Sequence, residues 1–150
     1  MEDPNFMAYC GTNCRVCSFR IAYITNDERL KEKLAKMIGI KPDQIICEGC
    51  RSEEPLFICK MCPMKSCALK RGYESCVDCD EFPCKIIERF PVKEFIKKVK
   101  FDVNYRKQHS KEDWIAKTIE LNSCPSCQTL AHWRGRICKS CGTQLEARYL

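Results

Sequence analysis

A chain of 150 residues has room for one domain, or for one domain with a small module attached. Its apolar fraction is 45%, but fifteen cysteines are in that count; without them about 35% remains, too little for burial alone to offset the entropy of folding. The formal charge of +6 does not imply a polyanionic partner, because each four-thiolate site around a dication would contribute about −2.

The opening Met1–Cys10 lacks the basic start and apolar run of a secretory leader, and no apolar run approaches the roughly 20 residues of a membrane span. A cytoplasmic protein with reduced thiols is expected, with no membrane association. Clustered cysteines in that setting bind metal more often than they pair. An odd number of cysteines also excludes a fully paired disulfide framework.

Residues 1–84 carry eleven of the fifteen. Cys10, Cys14 and Cys17 come first, followed by Ser18–Ile24, long enough for a turn or two of helix. Thr25 with Glu28 three residues on resembles a capping box. It opens a helix with Leu30, Leu34, Met37 and Ile38 as its apolar face, ended by Gly39 and Pro42. Cys47 and Cys50, then Cys59 and Cys62, form two C-x-x-C turns eight residues apart. Cys67–Arg71 before Gly72 reads as a short helix. The spacing Cys59-x2-Cys62-x4-Cys67 recurs as Cys76-x2-Cys79-x4-Cys84.

Residues 85–122 carry no cysteine and read as two or three helices. Pro83 suits a helix start, with Ile86, Ile87 and Phe90 following. Pro91 opens a second helix with Phe95, Ile96 and Val99 inward, and Ser110 with Asp113 a third carrying Trp114, Lys117, Ile119 and Leu121. Trp114 is expected in the core. Arg89, Lys93, Lys97 and Lys100 share one helix face, which reads as a solvated surface or as a phosphate-contacting one.

The last four cysteines carry the sharpest signal: Cys124-Pro-Ser-Cys127, then Cys138-Lys-Ser-Cys141-Gly142 ten residues later. Zinc prefers thiolate sulfur in a tetrahedron, and two C-x-x-C turns facing each other supply it. Gly142 fits a position needing positive φ; its counterpart is Gln128, so the first turn must tolerate a side chain there. His132 in the intervening loop is expected to be a loop residue rather than a ligand, and His109 solvated.

All fifteen cysteines are candidate ligands. Among the first eleven, Cys47, Cys50, Cys59 and Cys62 form the preferred first site and Cys14, Cys17, Cys76 and Cys79 the second. Cys10, Cys67 and Cys84 are then left over, and interleaved ligation is equally compatible. Two or three zinc ions are expected. An iron–sulfur cluster is the alternative in the N-terminal part, since Cys10-x3-Cys14-x2-Cys17 has the spacing of a four-iron site and thiolates suit both metals. No Gly-rich phosphate loop, carboxylate pair or Ser–His–Asp arrangement points to catalysis.

The run Tyr9-Cys10-Gly11-x-x-Cys14-x-x-Cys17, with Cys47-x-Gly49-Cys50-Arg51, Cys59-x-x-Cys62-x4-Cys67-Ala68-x-Lys70-x-Gly72 and Cys76-x-x-Cys79-x-x-Phe82-Pro83-Cys84, resembles the family of domain of unknown function 3795. Longer members of that family are similar here too, with a Trp-bearing helix and then a ribbon. The resemblance implies zinc binding and brings no reaction with it. The expected fold is a small, metal-stabilised, mainly α, cysteine-rich domain over 1–122, followed by a C-terminal β zinc ribbon over 123–150. The expected role is a binding or adaptor module with a protein partner. The alternatives are an iron–sulfur redox or metallocofactor accessory protein, and a nucleic-acid-binding zinc protein acting through Arg89, Lys93, Lys97 and Lys100.

Overall fold

The computed structural model describes residues 6–149, so the stretch read above for a leader lies partly outside the described residues. The chain is mainly helical: α1 (Ser18–Ile24), α2 (Glu28–Ile38), α3 (Phe57–Lys60), α4 (Pro63–Arg71), α5 (Lys85–Glu88), α6 (Lys93–Gln108) and α7 (Lys111–Asn122). Short 3-10 turns at Cys14–Val16, Pro42–Gln44 and Cys76–Asp78 join them.

The α1–α2 hairpin closes on Ala22, Leu34, Ala35 and Ile45. Its caps differ from the expectation. Asp27, not Thr25, caps α2, accepting from the Leu30 amide at 3.1 Å, while Thr25 ends α1 and returns its hydroxyl to the Ile21 carbonyl at 2.6 Å. Met37 is 55% exposed and Lys31 lies inward instead. Gly39 ends α2 in the left-handed region, as expected, at φ 75°. The helix read at Cys67–Arg71 starts earlier, with Pro63 in its first turn, and stops at Gly72. α5 is a single turn that begins at Lys85, after Pro83.

α6 is the central strut. Ile96, Val99 and Val103 meet Ala8, Cys10, Cys14, Cys50, Met64 and Ile87 in the main core. Gly11 passes so close to α6 that a Cβ there would stand 2.7 Å from a Val103 methyl, and its φ is +89°. Ser110 caps α7 through the Asp113 amide at 3.0 Å, and Trp114 is buried as expected.

Between α6 and α7 runs a buried polar line with no counterpart in the sequence reading. Lys98 and Asp102, one turn apart and both buried, pair at 2.7 Å. Trp114 donates to Asp102 at 3.2 Å, and Asn13 donates to Thr118 at 2.9 Å. Burial holds the Asp102 carboxyl above the ordinary carboxylate range, with Lys98, Trp114 and the Asn13 amide drawing it back.

The C-terminal segment packs on these helices through Trp133, Tyr149 and Val16. The Trp133 amide donates to the Val16 carbonyl at 2.9 Å, and Arg148 donates to the carbonyls of Leu121 at 3.1 Å and Gly135 at 2.7 Å. The expected β ribbon is not formed as strands among the described residues. Each cysteine turn is closed by one isolated antiparallel bridge, Ser123 to Leu130 and Ile137 to Gln144. A tight turn that gathers sulfurs needs only that one bridge; a longer ladder would need chain that the intervening loop spends on packing against α1 and α6.

Candidate metal centre

The C-terminal centre consists of two copies of one turn. In the first, the Cys124 amide donates to the Thr129 carbonyl at 2.9 Å and the Gln128 amide to the Cys124 carbonyl at 2.9 Å. In the second, Cys138 donates to Thr143 and Gly142 to Cys138, both at 2.8 Å. The chain reverses through positive φ at Gln128 (63°) and Gly142 (76°). The side chain that the first turn had to tolerate therefore sits in the left-handed region.

These turns face each other and gather the sulfurs of Cys124, Cys127, Cys138 and Cys141 within 4.8 Å of one another, the only such gathering of potential ligands among the described residues. Cys124 and Cys141 stand 3.6 Å apart, as do Cys127 and Cys138. A disulfide would require about 2.05 Å, whereas four sulfurs tetrahedral around zinc at about 2.3 Å are spaced by about 3.8 Å. The donor set and its spacing fit a tetrahedral, thiophilic ion. None of the fifteen cysteines is paired in a disulfide.

Local donors prepare the sulfurs for charge. Burial opposes ionisation of Cys124, but the amides of Cys127 and Ser126 bring its thiol below the ordinary range. The Thr129 hydroxyl, 3.2 Å from the Cys127 sulfur, and then the Thr129 amide lower Cys127. Thr143, 3.1 Å from the Cys141 sulfur, does the same for Cys141. The Cys141 amide draws Cys138 down, yet burial and the sulfurs of Cys127 and Cys124 push it up to about 11. Four thiolates this close do not all ionise without a cation between them. The two threonines were missed in the sequence, although Cys-Gln-Thr and Cys-Gly-Thr at matching places carried the signal.

His132 lies beside this centre and outside it. Its Nδ1 shares a hydrogen bond with the Ser18 hydroxyl at 2.8 Å, and burial first, then Arg148, pushes it down to about 4. His109 is exposed, stacks on Tyr105 at 3.9 Å and donates to the Tyr105 carbonyl at 3.0 Å.

The other eleven cysteines line the interior of the N-terminal part. Cys10, Cys14 and Cys50 belong to the main core, with Cys62, Cys76 and Cys84 packed against it. Burial pushes Cys10 up to about 12 and Cys47 to about 11, and raises Cys14, Cys50 and Cys59 as well. After burial, the Cys17 sulfur is the strongest cysteine influence raising Cys47 and Cys59, and Cys50, Cys47 and Cys62 follow it at Cys59. Cys76 feels Cys84, Cys79 and Cys67 ahead of Cys62. Basic side chains missed by sequence reading tie these loops together. Arg51 donates to the carbonyls of Met7 and Glu74, Arg20 to Cys47, and Lys65 to Cys50 at 3.3 Å.

A family model described as "Protein of unknown function (DUF3795)" matches residues 6–89, more than half of the chain. The chain belongs to this family. No curated protein and no solved structure matches it. The DUF3795 region holds all eleven N-terminal cysteines, and the C-terminal centre lies beyond it. Of the basic residues read as one face, Lys93 donates to the Glu88 carbonyl at 2.8 Å and Lys100 pairs with the Glu88 carboxylate at 2.6 Å; Arg89 and Lys97 are exposed. No helix among the described residues is long and apolar enough to cross a membrane.

Proposed function

We propose that this DUF3795 chain is a zinc protein in which coordination replaces part of the hydrophobic core, and that it acts as a binding or adaptor module for a protein partner. Cys124, Cys127, Cys138 and Cys141 hold one ion, and the N-terminal cysteines hold the remainder, for two or three zinc ions in all. The observation that carries the metal reading is the pair of facing turns with sulfurs 3.6 Å apart across them. A structural role fits this centre because all four donors come from protein, leaving no open position for substrate. The adaptor role draws support from Phe57, Met61 and Leu69, large apolar residues exposed on α3, α4 and the joint between them.

Element-resolved metal analysis of the full chain, purified without oxygen, tests the reading. Colourless protein with two or three zinc ions per chain is expected. Iron with visible absorbance would replace zinc by a cluster in the N-terminal part, and loss of no metal on Cys124→Ser/Cys138→Ser substitution would remove the C-terminal site.

A further inference from the structure

The C-terminal half of α6 carries a row of rings that metal binding leaves unused. Phe101, Tyr105 and His109 recur at every fourth residue, the spacing that sets helical side chains one above another. Their rings are stacked. Phe101 and Tyr105 stand 5.9 Å apart between centroids at 22°, and Tyr105 and His109 3.9 Å apart at 11°. Phe101 roots the row in the fold, half-buried and set edge-on against Tyr149 at 5.5 Å. His109 ends it. Its ring is steadied by the Nδ1 hydrogen bond to the Tyr105 carbonyl at 3.0 Å, is exposed, and has Tyr105 as its one ring neighbour among the described residues. A preformed stack therefore ends on an open face.

Positive charge lies along the same row. Lys97, one turn before Phe101, is exposed and has no partner among the described residues. Lys93, a further turn back, donates to the Glu88 carbonyl at 2.8 Å, which leaves its charge uncancelled. The two acids of α6 are engaged elsewhere, Glu94 with Arg134 at 3.2 Å and Asp102 with buried Lys98. The exposed carboxamides of Asn104 and Gln108 lie one turn apart beside the rings.

An open ring face next to unpaired cations is complementary to a phosphate-linked base, since every base has a π face and every linkage a negative charge. A duplex keeps its base faces stacked inside, so only an unpaired strand can meet this row. We propose that α6 binds single-stranded nucleic acid, with a base stacked on the open face of His109 and the phosphates running back along the helix toward Lys97 and Lys93. The row from Lys97 to His109 is about 18 Å long, room for a few nucleotides. None of these side chains belongs to the cysteine turns, so binding here does not depend on which metal those turns hold.

Fluorescence anisotropy of a short labelled single strand of mixed sequence, titrated with the full chain purified without oxygen, tests this. Saturable binding that weakens as salt is raised is expected. Tyr105→Ala/His109→Ala should weaken it about tenfold or more, whereas Tyr105→Phe, which keeps the ring, should bind as the parent does. Lys97→Gln should reduce the slope of log affinity against log salt by about 0.7. Circular dichroism checks that each variant is folded. Absence of binding at low salt overturns the proposal. So does undiminished affinity in the folded Tyr105→Ala/His109→Ala variant, or equal affinity for inorganic polyphosphate, which has the charge and no bases.

Discussion

Gln128 and Gly142 occupy equivalent places in two turns that differ in little else. Left-handed backbone costs a residue with a Cβ about 1–2 kcal/mol relative to glycine, and Gln128 bears that cost at φ 63°. Gln128→Gly should therefore raise the thermal midpoint of the zinc-loaded protein, by about 1 kcal/mol of stability. Gly142→Ala should lower it by a similar amount although nothing stands within 4 Å of the added Cβ, which makes the effect one of backbone alone. Differential scanning calorimetry of both variants checks the pair; equal shifts in the same direction would contradict it.

His132 carries the pH dependence that belongs to a single residue. Its ring sits near pKa 4 in the fold against 6.5 for the free side chain, chiefly through burial. Between those values the unfolded chain binds a proton that the folded chain does not, so stability is full above pH 6.5 and falls as pH drops toward 4. Substitution His132→Asn, which can keep a hydrogen bond to Ser18, should flatten stability against pH in that window. Denaturant unfolding across the window reads the slope, and an unchanged slope would count against a buried neutral ring. Gln128 was visible in the sequence as the position needing tolerance. His132 was not visible as a buried group, because Ser18 lies 114 positions away.

At the scale of elements, the buried pair on α6 is the place where losing one partner strands the other away from water. Lys98→Met leaves Asp102 buried with only Trp114 and the Asn13 amide as donors, and breaking a buried pair on one side costs about 3–5 kcal/mol. Lys98→Met/Asp102→Leu should recover part of that loss, since no uncompensated charge remains; urea unfolding of the single and double variants measures it. In the sequence, Lys98 and Asp102 read as an ordinary surface pair one turn apart. The docking of α7, of residues 11–13 and of Tyr149 against that face removes them from water. The positions of α2, α6 and α7 were legible from apolar spacing and from Gly39 and Ser110. Thr25 misled because Asp27, two residues on, offers the same capping chemistry closer to the helix. The ribbon strands were not formed because a bridge of one residue pair on each side suffices to seat a turn.

At the scale of the whole molecule, the interior is divided into small clusters, and sulfur is in the largest and the last of them. Two of the three buried residues in the C-terminal cluster are cysteines, with Leu145 the third, and Cys10, Cys14 and Cys50 sit in the main core. The C-terminal centre could be read from sequence because its four cysteines lie within 18 consecutive residues and need only local turns to converge. The packing of the first eleven could not, because the contacts that position them, Arg71 to Glu81, Cys76 to Tyr9 and Cys14 to Cys50, cross between segments whose meeting no spacing encodes.

If ions supply the cohesion that these clusters lack, their binding free energy is folding free energy. Far-ultraviolet circular dichroism of the reduced full chain, before and after exhaustive chelation and again after zinc is restored, measures this directly. Loss of most helical signal on chelation, with recovery on adding zinc, is the expected result; helicity unchanged in metal-free, fully reduced protein would contradict it.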